Sequence, residues 1–477
     1  MPEVIFWHRG NAELVSRHNT LGLASVAAAV KNAVPSERAS GPAPIPFFNP
    51  DMTAPTSDSS PQAPWDVIII GGGPAGSTAA TTLAKAGRRV LVLEKEKFPR
   101  FHIGESLLPY NREIFDRLGV WPKIEAAGFM VKRGAQFLMG NGSHRNRLNF
   151  SKGAFTEFPE SIQVERSKFD DLLLKHSMEC GADVREEALV LSHRVQADSV
   201  TVKYRSGDGA EHTVSAAFLM DASGLSNLTA NQASLREYYP GHKKLAIFGH
   251  FSGVDMPQGD QYGDILVVRR ENSWFWLIPL EADKTSVGLV LDQKEFQALG
   301  GKPDAIFHEA ARTTKVVAER FTAAVSLEPL RVLTDFSYRN GRLIAPRVVR
   351  IGDASGFIDP VFSSGVMLAM TSGHQGAEAV GEALASGSPM TAGMRRYEKD
   401  TRRRIAQYWE FIENFYKNSF AQLFFQPYNR LSMVCAINAV LAGRTRLPLV
   451  LRLRLRIFFF LAWLNRHVPV ARRIEIS

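Results

Sequence analysis

Apolar positions in this 477-residue chain change period along its length. After Asp66, Val67-Ile68-Ile69-Ile70 is an unbroken apolar run, the pattern of a short buried strand. It runs into Gly71-Gly72-Gly73-Pro74-Ala75-Gly76. The small-residue stretch from Ser77 to Ala86 then predicts a helix that Gly87 stops. Val90 to Leu93, closed by Glu94, predicts a second strand, so the unit reads strand, Gly-rich turn, helix, parallel strand. Further strands are expected at Phe137-Leu138, Ser199 to Tyr204, Leu245 to Phe251, Ile265 to Val268 and Ser286 to Leu291. Their alternation with turns suits an antiparallel sheet facing a substrate. From Gly365 the pattern becomes helical, with Gly373, Gly376 and Gly381 expected at close-packing positions. No internal repeat is visible.

Trp274-Phe275-Trp276-Leu277-Ile278-Pro279 is the most distinctive strand-like stretch. Side chains alternate with a period of two, so both indoles fall on one face. By itself this is a half-buried strand.

Length points to two or three lobes. Residues 1–64 read as a disordered leader: Ala24 to Val34 is at most a weak helix, and Pro35 to Pro64 is dense in Pro, Ser, Ala and Thr. Residues 65–390 are the expected core and residues 391–477 a basic, aromatic-rich helical region. Of the net charge of +9, the segment from Thr391 onward contributes +11, leaving the rest at −2. Basicity therefore belongs to one end and suggests an acidic partner or membrane surface there. Cys180 and Cys435 form no disulfide framework and have no metal-ligand spacing, which fits a reducing interior. With no secretory signal pattern and no apolar stretch long enough to span a bilayer, the cytoplasm is the expected location. No metal and no nucleic acid enter this reading.

Gly71, Gly73 and Gly76 follow a strand and open a helix, where glycines allow a tight turn and close approach of a pyrophosphate to the helix N-terminus. Ala75 lies in the same turn. Glu94, at the end of the second strand, sits where an acidic residue takes ribose hydroxyls. Two further strand-to-turn segments, Met220-Asp221-Ala222-Ser223-Gly224 and Arg350-Ile351-Gly352-Asp353-Ala354-Ser355-Gly356, follow in order. The three together resemble the group A flavoprotein monooxygenase fold. That resemblance implies an α/β architecture with α+β elements: a Rossmann-like FAD-binding domain, an antiparallel-sheet substrate domain and a helical C-terminal region. It places Asp353 on the flavin ribityl chain and Asp221 and Gly224 near the cofactor. Val164-Glu165-Arg166 before Phe169-Asp170-Asp171-Leu172 is similar to a core segment of that family; Arg166 serves there as a cofactor contact or equally as a surface residue beside the next helix.

Four segments within this frame resemble the flavin-dependent halogenases: Trp274-x-Trp276-x-Ile278-Pro279; Phe357-x-x-Pro360-x-x-Ser363-Ser364-Gly365; Phe98-Pro99-Arg100 through Gly104-Glu105-Ser106-Leu107-Leu108-Pro109; and Val131-Lys132-Arg133-Gly134. The resemblance covers roughly Asp66 to Ala385. It implies reduced FAD, supplied by a separate NAD(P)H flavin reductase, and chloride or bromide, which O2 and the flavin convert to hypohalous acid. It implies Lys132 as the catalytic residue, Arg100 at the cofactor and a halide at Ser364 and Gly365. It also implies a wall of Trp274, Trp276, Pro279, Phe357, Pro360 and Ser363 between flavin and substrate. An ammonium polarises hypohalous acid and a neutral amine forms a haloamine; desolvation makes both accessible to Lys132. Glu105 and Ser106 are placed near the ring or at a helix cap, and His102 is given no catalytic role.

In the tail, the aromatic series Tyr408, Trp409, Phe411, Phe415, Tyr416, Phe420, Phe424 and Phe425 reads as core roofing a substrate pocket. Pro448 to Leu464 mixes Arg452, Arg454 and Arg456 with an apolar octet. Simple packing is the first reading, with peripheral membrane contact or docking to an acidic carrier beside it. The Ser106-Leu107-Leu108-Pro109 pattern implies a phenolic or other electron-rich aromatic substrate, free or carrier-tethered; the oligomeric state, monomer or homodimer, is left open by the sequence. The runner-up is a monooxygenase, epoxidase or geranylgeranyl-reductase-like enzyme acting on a lipophilic substrate.

Overall fold

The computed structural model describes residues 65–152, 157–334, 337–426, 433–444 and 446–474. The expected leader of residues 1–64 lies outside them. The described residues belong to one compact unit.

Trp65–Ile70 is the central strand of an eight-stranded sheet and pairs in parallel with Val90–Leu93 on one side and Glu211–Asp221 on the other. Val348–Arg350 and Asp183–Arg185 extend the parallel set outward. Side chains leave alternate faces, so Val67 and Ile69 enter one apolar cluster and Ile68 and Ile70 another; both faces are covered, as the unbroken apolar run requires. Helix Pro74–Lys85 starts with proline at a position whose N–H needs no partner. It packs against the long helix Gly365–Ser386. That contact is close because Gly373 meets it: a β-carbon there would lie 2.5 Å from the Ala75 carbonyl oxygen. Gly376 likewise faces Ile351, whereas Gly381 has open space around it, so the third of the expected close-packing glycines is not one.

A second eight-stranded sheet carries the strands Gly134–Met139, Arg145–Asn149, Lys244–Ser252, Ile265–Arg269, Trp274–Glu281 and Lys284–Asp292, with Val325–Ser326 and Arg331–Thr334 alongside Lys244–Ser252. It is antiparallel except where Ile265–Arg269 runs parallel to Gly134–Met139. The strand expected at Ser199 to Tyr204 does not belong to it. Val200–Arg205 folds back on Glu211–Asp221 and extends the cofactor-side sheet, because its short turn to Glu211 leaves an antiparallel hairpin as the nearest pairing.

One face of Trp274–Glu281, bearing Trp274, Trp276, Ile278 and Leu280, packs against the C-terminal helices; the other, bearing Phe275 and Leu277, packs with helix Pro303–Thr313. The helices Ala392–Phe415, Asn418–Phe425, Met433–Leu441 and Leu449–Leu464 share the first of these cores. Tyr408, Phe411, Phe415, Phe420, Phe424 and Phe425 are all buried there. Among the described residues no helix is long and apolar enough to cross a membrane.

Candidate functional site

The Gly-rich turn is built for close approach. Gly71 adopts φ +99°, and a β-carbon on Gly76 would sit 1.9 Å from the Gly71 carbonyl oxygen. Gly73 caps helix Pro74–Lys85 with no side chain, leaving the first-turn N–H groups and the positive helix end open to an anion. Ala75 is buried in the same turn. Glu94 is 5% exposed; one carboxylate oxygen accepts from the Gly72 N–H at 2.7 Å and the other from the Glu96 N–H at 2.9 Å. Asp221 is fully buried, and its oxygens accept from the Ser223 N–H, the Thr229 N–H and the Thr229 hydroxyl. Its carboxylate thus holds the turn after the strand, the turn in which Gly224 lies at φ +61°.

Gly352 and Asp353 lie at the end of Val348–Arg350, tucked against Ala75. Burial pushes the Asp353 carboxyl up to about 7, with Arg166 pulling the other way. Arg166 opens helix Arg166–Glu179 and is buried, so it is neither a strand residue nor a surface cap. Its guanidinium grips Asp170 with two hydrogen bonds of 2.7 and 2.8 Å and donates to the Ile103 carbonyl at 2.7 Å. Arg100 donates to the same Asp170 at 2.9 Å and lies over the Phe98 ring. Between these cations His102 is held down to about 3 by burial, then by Arg166 and Arg100; it is a neutral imidazole bonded to the Ile103 carbonyl. Asp353, Gly356, Phe357 and Gly365 line a shallow cleft. An open helix N-terminus, backbone stripped of β-carbons and a buried carboxyl at a cleft are the donor set a flavin dinucleotide needs, and the residues fit FAD.

Lys132 ends strand Met130–Lys132, which pairs with Ser161–Gln163. It is 1% exposed; Nζ donates to Ser106 Oγ and to the Leu107 carbonyl, both at 2.8 Å. Burial lowers its pKa to about 7, opposed by Asp264. Asp264 also accepts from Arg147 at 2.7 Å, which weakens its hold on the lysine. Ser106 reaches Lys132 because the Gly104–Leu107 segment runs as an added edge beside Ser161–Gln163: Ser106 bridges Gln163, and the Leu107 N–H donates to Ile162. The next residue back, Glu105, is equally buried. His250 Nε2 lies 2.7 Å from one of its oxygens, and His250 Nδ1 lies 3.3 Å from Glu328. Nothing in the chain's local pattern marks His250, which comes from strand Lys244–Ser252.

Trp274 and Trp276 are both buried, with ring centroids 5.9 Å apart. Trp276 lies on Gly288 of the next strand and donates to Ser286 Oγ at 3.1 Å. Trp274 donates to the Tyr416 hydroxyl at 2.9 Å, and Tyr416 donates to Asp359 at 2.6 Å. Asp359 also accepts from the Val361 N–H; burial raises its pKa against these bonds. This chain ties the Trp strand to Phe357–Gly365 through the C-terminal helices. Tyr416 entered the sequence reading only as one of a core aromatic series. Pro279 continues the strand beside Thr285, Phe357 is half-buried, and Pro360 opens a single 3₁₀ turn. Ser363 at φ +56° reverses the chain so that helix Gly365–Ser386 starts there. At its cap Ser364 is 1% exposed, and its hydroxyl has no partner among the described residues. The turn presents an orphaned buried donor at a long helix's positive end.

The FAD binding domain family matches residues 64–412. The chain is 33% identical over 359 residues to a tryptophan 2-halogenase of Chondromyces crocatus, covering 74% of this chain and 67% of that protein. It is 32% identical over 376 residues to a 1H-pyrrole-2-carbonyl peptidyl-carrier-protein chlorinase of Pseudomonas fluorescens, covering 74% of this chain and 84% of the relative. Among solved structures, a flavoprotein/dehydrogenase of Cytophaga hutchinsonii superimposes with a TM-score of 0.77 at 29% identity, over 84% of this chain and 99% of that one.

Proposed function

This chain belongs to the flavin-dependent halogenase family, and from that premise we propose that it halogenates an electron-rich aromatic substrate through Lys132. The observation that carries the reading is the lysine itself: buried, held by Ser106 and Leu107, with a pKa near 7. Bound FAD, reduced and in the presence of O2, supplies the oxidation of halide to hypohalous acid. Gly71, Gly73, Ala75, Gly76 and Glu94 hold its nucleotide end, and Asp353, with Arg166 and Arg100 behind it, the ribityl side. Asp221 and Gly224 shape the neighbouring turn. Ser364 and Gly365 bind halide by N–H and hydroxyl donors at the helix terminus.

Trp274 and Trp276, with Pro279, Phe357, Pro360 and Ser363, exclude water and keep the substrate from the flavin. At Lys132 the ammonium donates to the oxygen of hypohalous acid. The ring's π electrons take the halogen, the O–X bond breaks, and the oxygen leaves as water with the lysine's proton. The ring proton returns to the amine. The carrier-tethered pyrrole of one relative and the tryptophan of another bracket the substrate class; a phenol fits the Ser106-to-Pro109 pattern. Reduced FAD comes from a separate NAD(P)H flavin reductase.

The feature nearest to a second reading, oxygenation or reduction of a lipophilic substrate, is a small apolar pocket among the C-terminal helices, lined by Leu148, Phe424, Ile437, Phe458 and Leu461. The two readings separate when the protein is incubated with FAD, flavin reductase, NADH and bromide or chloride over a panel of phenols. Halide-dependent mass gain that Lys132→Ala abolishes, with FAD still bound, supports halogenation. Oxygen insertion without halide dependence, or full activity of Lys132→Ala, overturns it.

A further inference from the structure

Helix Leu449–Leu464 buries only one face. Leu451, Leu455, Phe458 and Ala462 enter the core, while Leu449, Leu453, Phe460 and Trp463 are 77%, 58%, 56% and 53% exposed. The exposed set is spaced by four, seven and three residues, so it forms one stripe along the helix. Val450 beside it, and Val468 and Val470 beyond it, are exposed too. Seven of the fourteen exposed large apolar side chains among the described residues thus lie between Leu449 and Val470. The simple-packing reading of this segment holds for its inner face alone.

Arginines are set into the stripe and continue past its end: Arg456 falls between Leu453 and Phe460, and Arg452 lies along one edge. Arg452 and Arg456 are exposed on the helix, and Arg466, Arg472 and Arg473 follow it. Among the described residues none of Arg452, Arg466, Arg472 and Arg473 has a carboxylate within ion-pair distance. The helix has 16 residues and three arginines, so it cannot cross a bilayer. We infer that this face docks the protein on an anionic lipid surface, the helix lying in the interface plane. The stripe runs along the outer face of one helix. Its large side chains end in a tryptophan, which suits the headgroup boundary. Arg452 and Arg456 on the stripe and the arginines after the helix carry their guanidinium groups to phosphates while their stems lie along apolar surface. A second copy packed face to face would set these arginines against each other. The inference does not depend on the halogenase reading, because it is read from partition and not from turnover.

The test uses full-length, FAD-loaded protein with phosphatidylcholine vesicles with or without phosphatidylserine, followed by co-sedimentation and tryptophan emission. Binding to the anionic vesicles only, reversed by high salt, with a blue shift that Trp463→Ser removes, is the expected result. Replacing Arg452, Arg456 and Arg466 by Gln weakens partition roughly a hundredfold, at about fivefold per charge. Phe460→Asp with Trp463→Asp abolishes it; because both positions are exposed, the melting temperature stays unchanged. No binding to anionic vesicles overturns the inference, whether the protein stays monomeric, dimerises or captures an added acidic protein. Equal binding to neutral vesicles overturns it as well.

Discussion

Trp276 lies flat on Gly288: a β-carbon built on Gly288 would stand 2.1 Å from Cζ2 of the indole. The ring's place over its neighbouring strand exists because that position has no side chain. Gly288→Ala therefore forces the indole away, at a cost of ~1–3 kcal/mol for overpacking a filled core. Thermal unfolding reads the loss, and a changed tryptophan near-ultraviolet signal reads the displaced ring. If melting temperature and spectrum both stay as in the parent, the wall is looser than its geometry states.

The second tryptophan is held from a distance. Tyr416→Phe removes the hydroxyl that accepts from Trp274 and donates to Asp359. It leaves a buried indole N–H and a buried carboxyl each short of a partner, which costs about 1–3 kcal/mol per group. Asp359 then titrates still higher, because the Tyr416 bond is the largest influence lowering it. Denaturant midpoints of Tyr416→Phe, Asp359→Asn and the double variant check this. Additive losses would show that the two residues do not form one chain.

Lys132 carries a pH signature. Burial holds its pKa at about 7, against 10.5 for an ordinary lysine. Between those values the unfolded chain binds a proton that the folded chain does not, so stability rises with pH across the window. The burial penalty is complete below pH 7. Lys132→Met accordingly stabilises the protein most near pH 6, by roughly 2–4 kcal/mol after two lost hydrogen bonds are counted. The gain fades toward pH 10. Urea titrations of both proteins at several pH values read the difference, and a pH-independent difference would mean the lysine titrates normally.

Gly73 separates folding from cofactor binding. Its backbone has φ −68°, which any residue adopts, and a β-carbon there would meet only the flexible end of Arg100 at 3.5 Å. Gly73→Ala should therefore fold with an unchanged apo melting temperature. The added methyl obstructs approach to the helix N-terminus, and FAD affinity falls by roughly tenfold or more, about 1.4 kcal/mol. Flavin fluorescence titration measures it; unaltered affinity would move the pyrophosphate elsewhere.

Much of the cofactor half is legible along the chain. The strand at Val67–Ile70, the Gly71–Gly76 turn, the helix from Pro74 and the strand at Val90–Leu93 depend on neighbours within a few residues, where period and turn chemistry act. The same holds for the shared face of Trp274 and Trp276, which follows from alternation in a strand. The burial of Lys132 is not legible: a lysine beside Arg133 reads as surface until Gly104–Leu107 folds over it. Nor is the sheet chosen by Val200–Arg205, or the parallel pairing of Gly134–Met139 with Ile265–Arg269.

By itself the sequence determined the nucleotide-binding half and the residue types at the site, because strand period, turn glycines and helix starts are local properties. Tertiary structure alone decided the rest. It turned Asp221 inward to brace a turn, bound Arg166 and Arg100 to one Asp170, joined Trp274 to Asp359 through Tyr416 and placed Lys132 out of water. The Arg100–Asp170 and Trp274–Tyr416–Asp359 links join residues more than 50 apart in the sequence. The burial of Asp221 and Lys132 depends on which segments exclude water from a charge; burial arises only when segments pack.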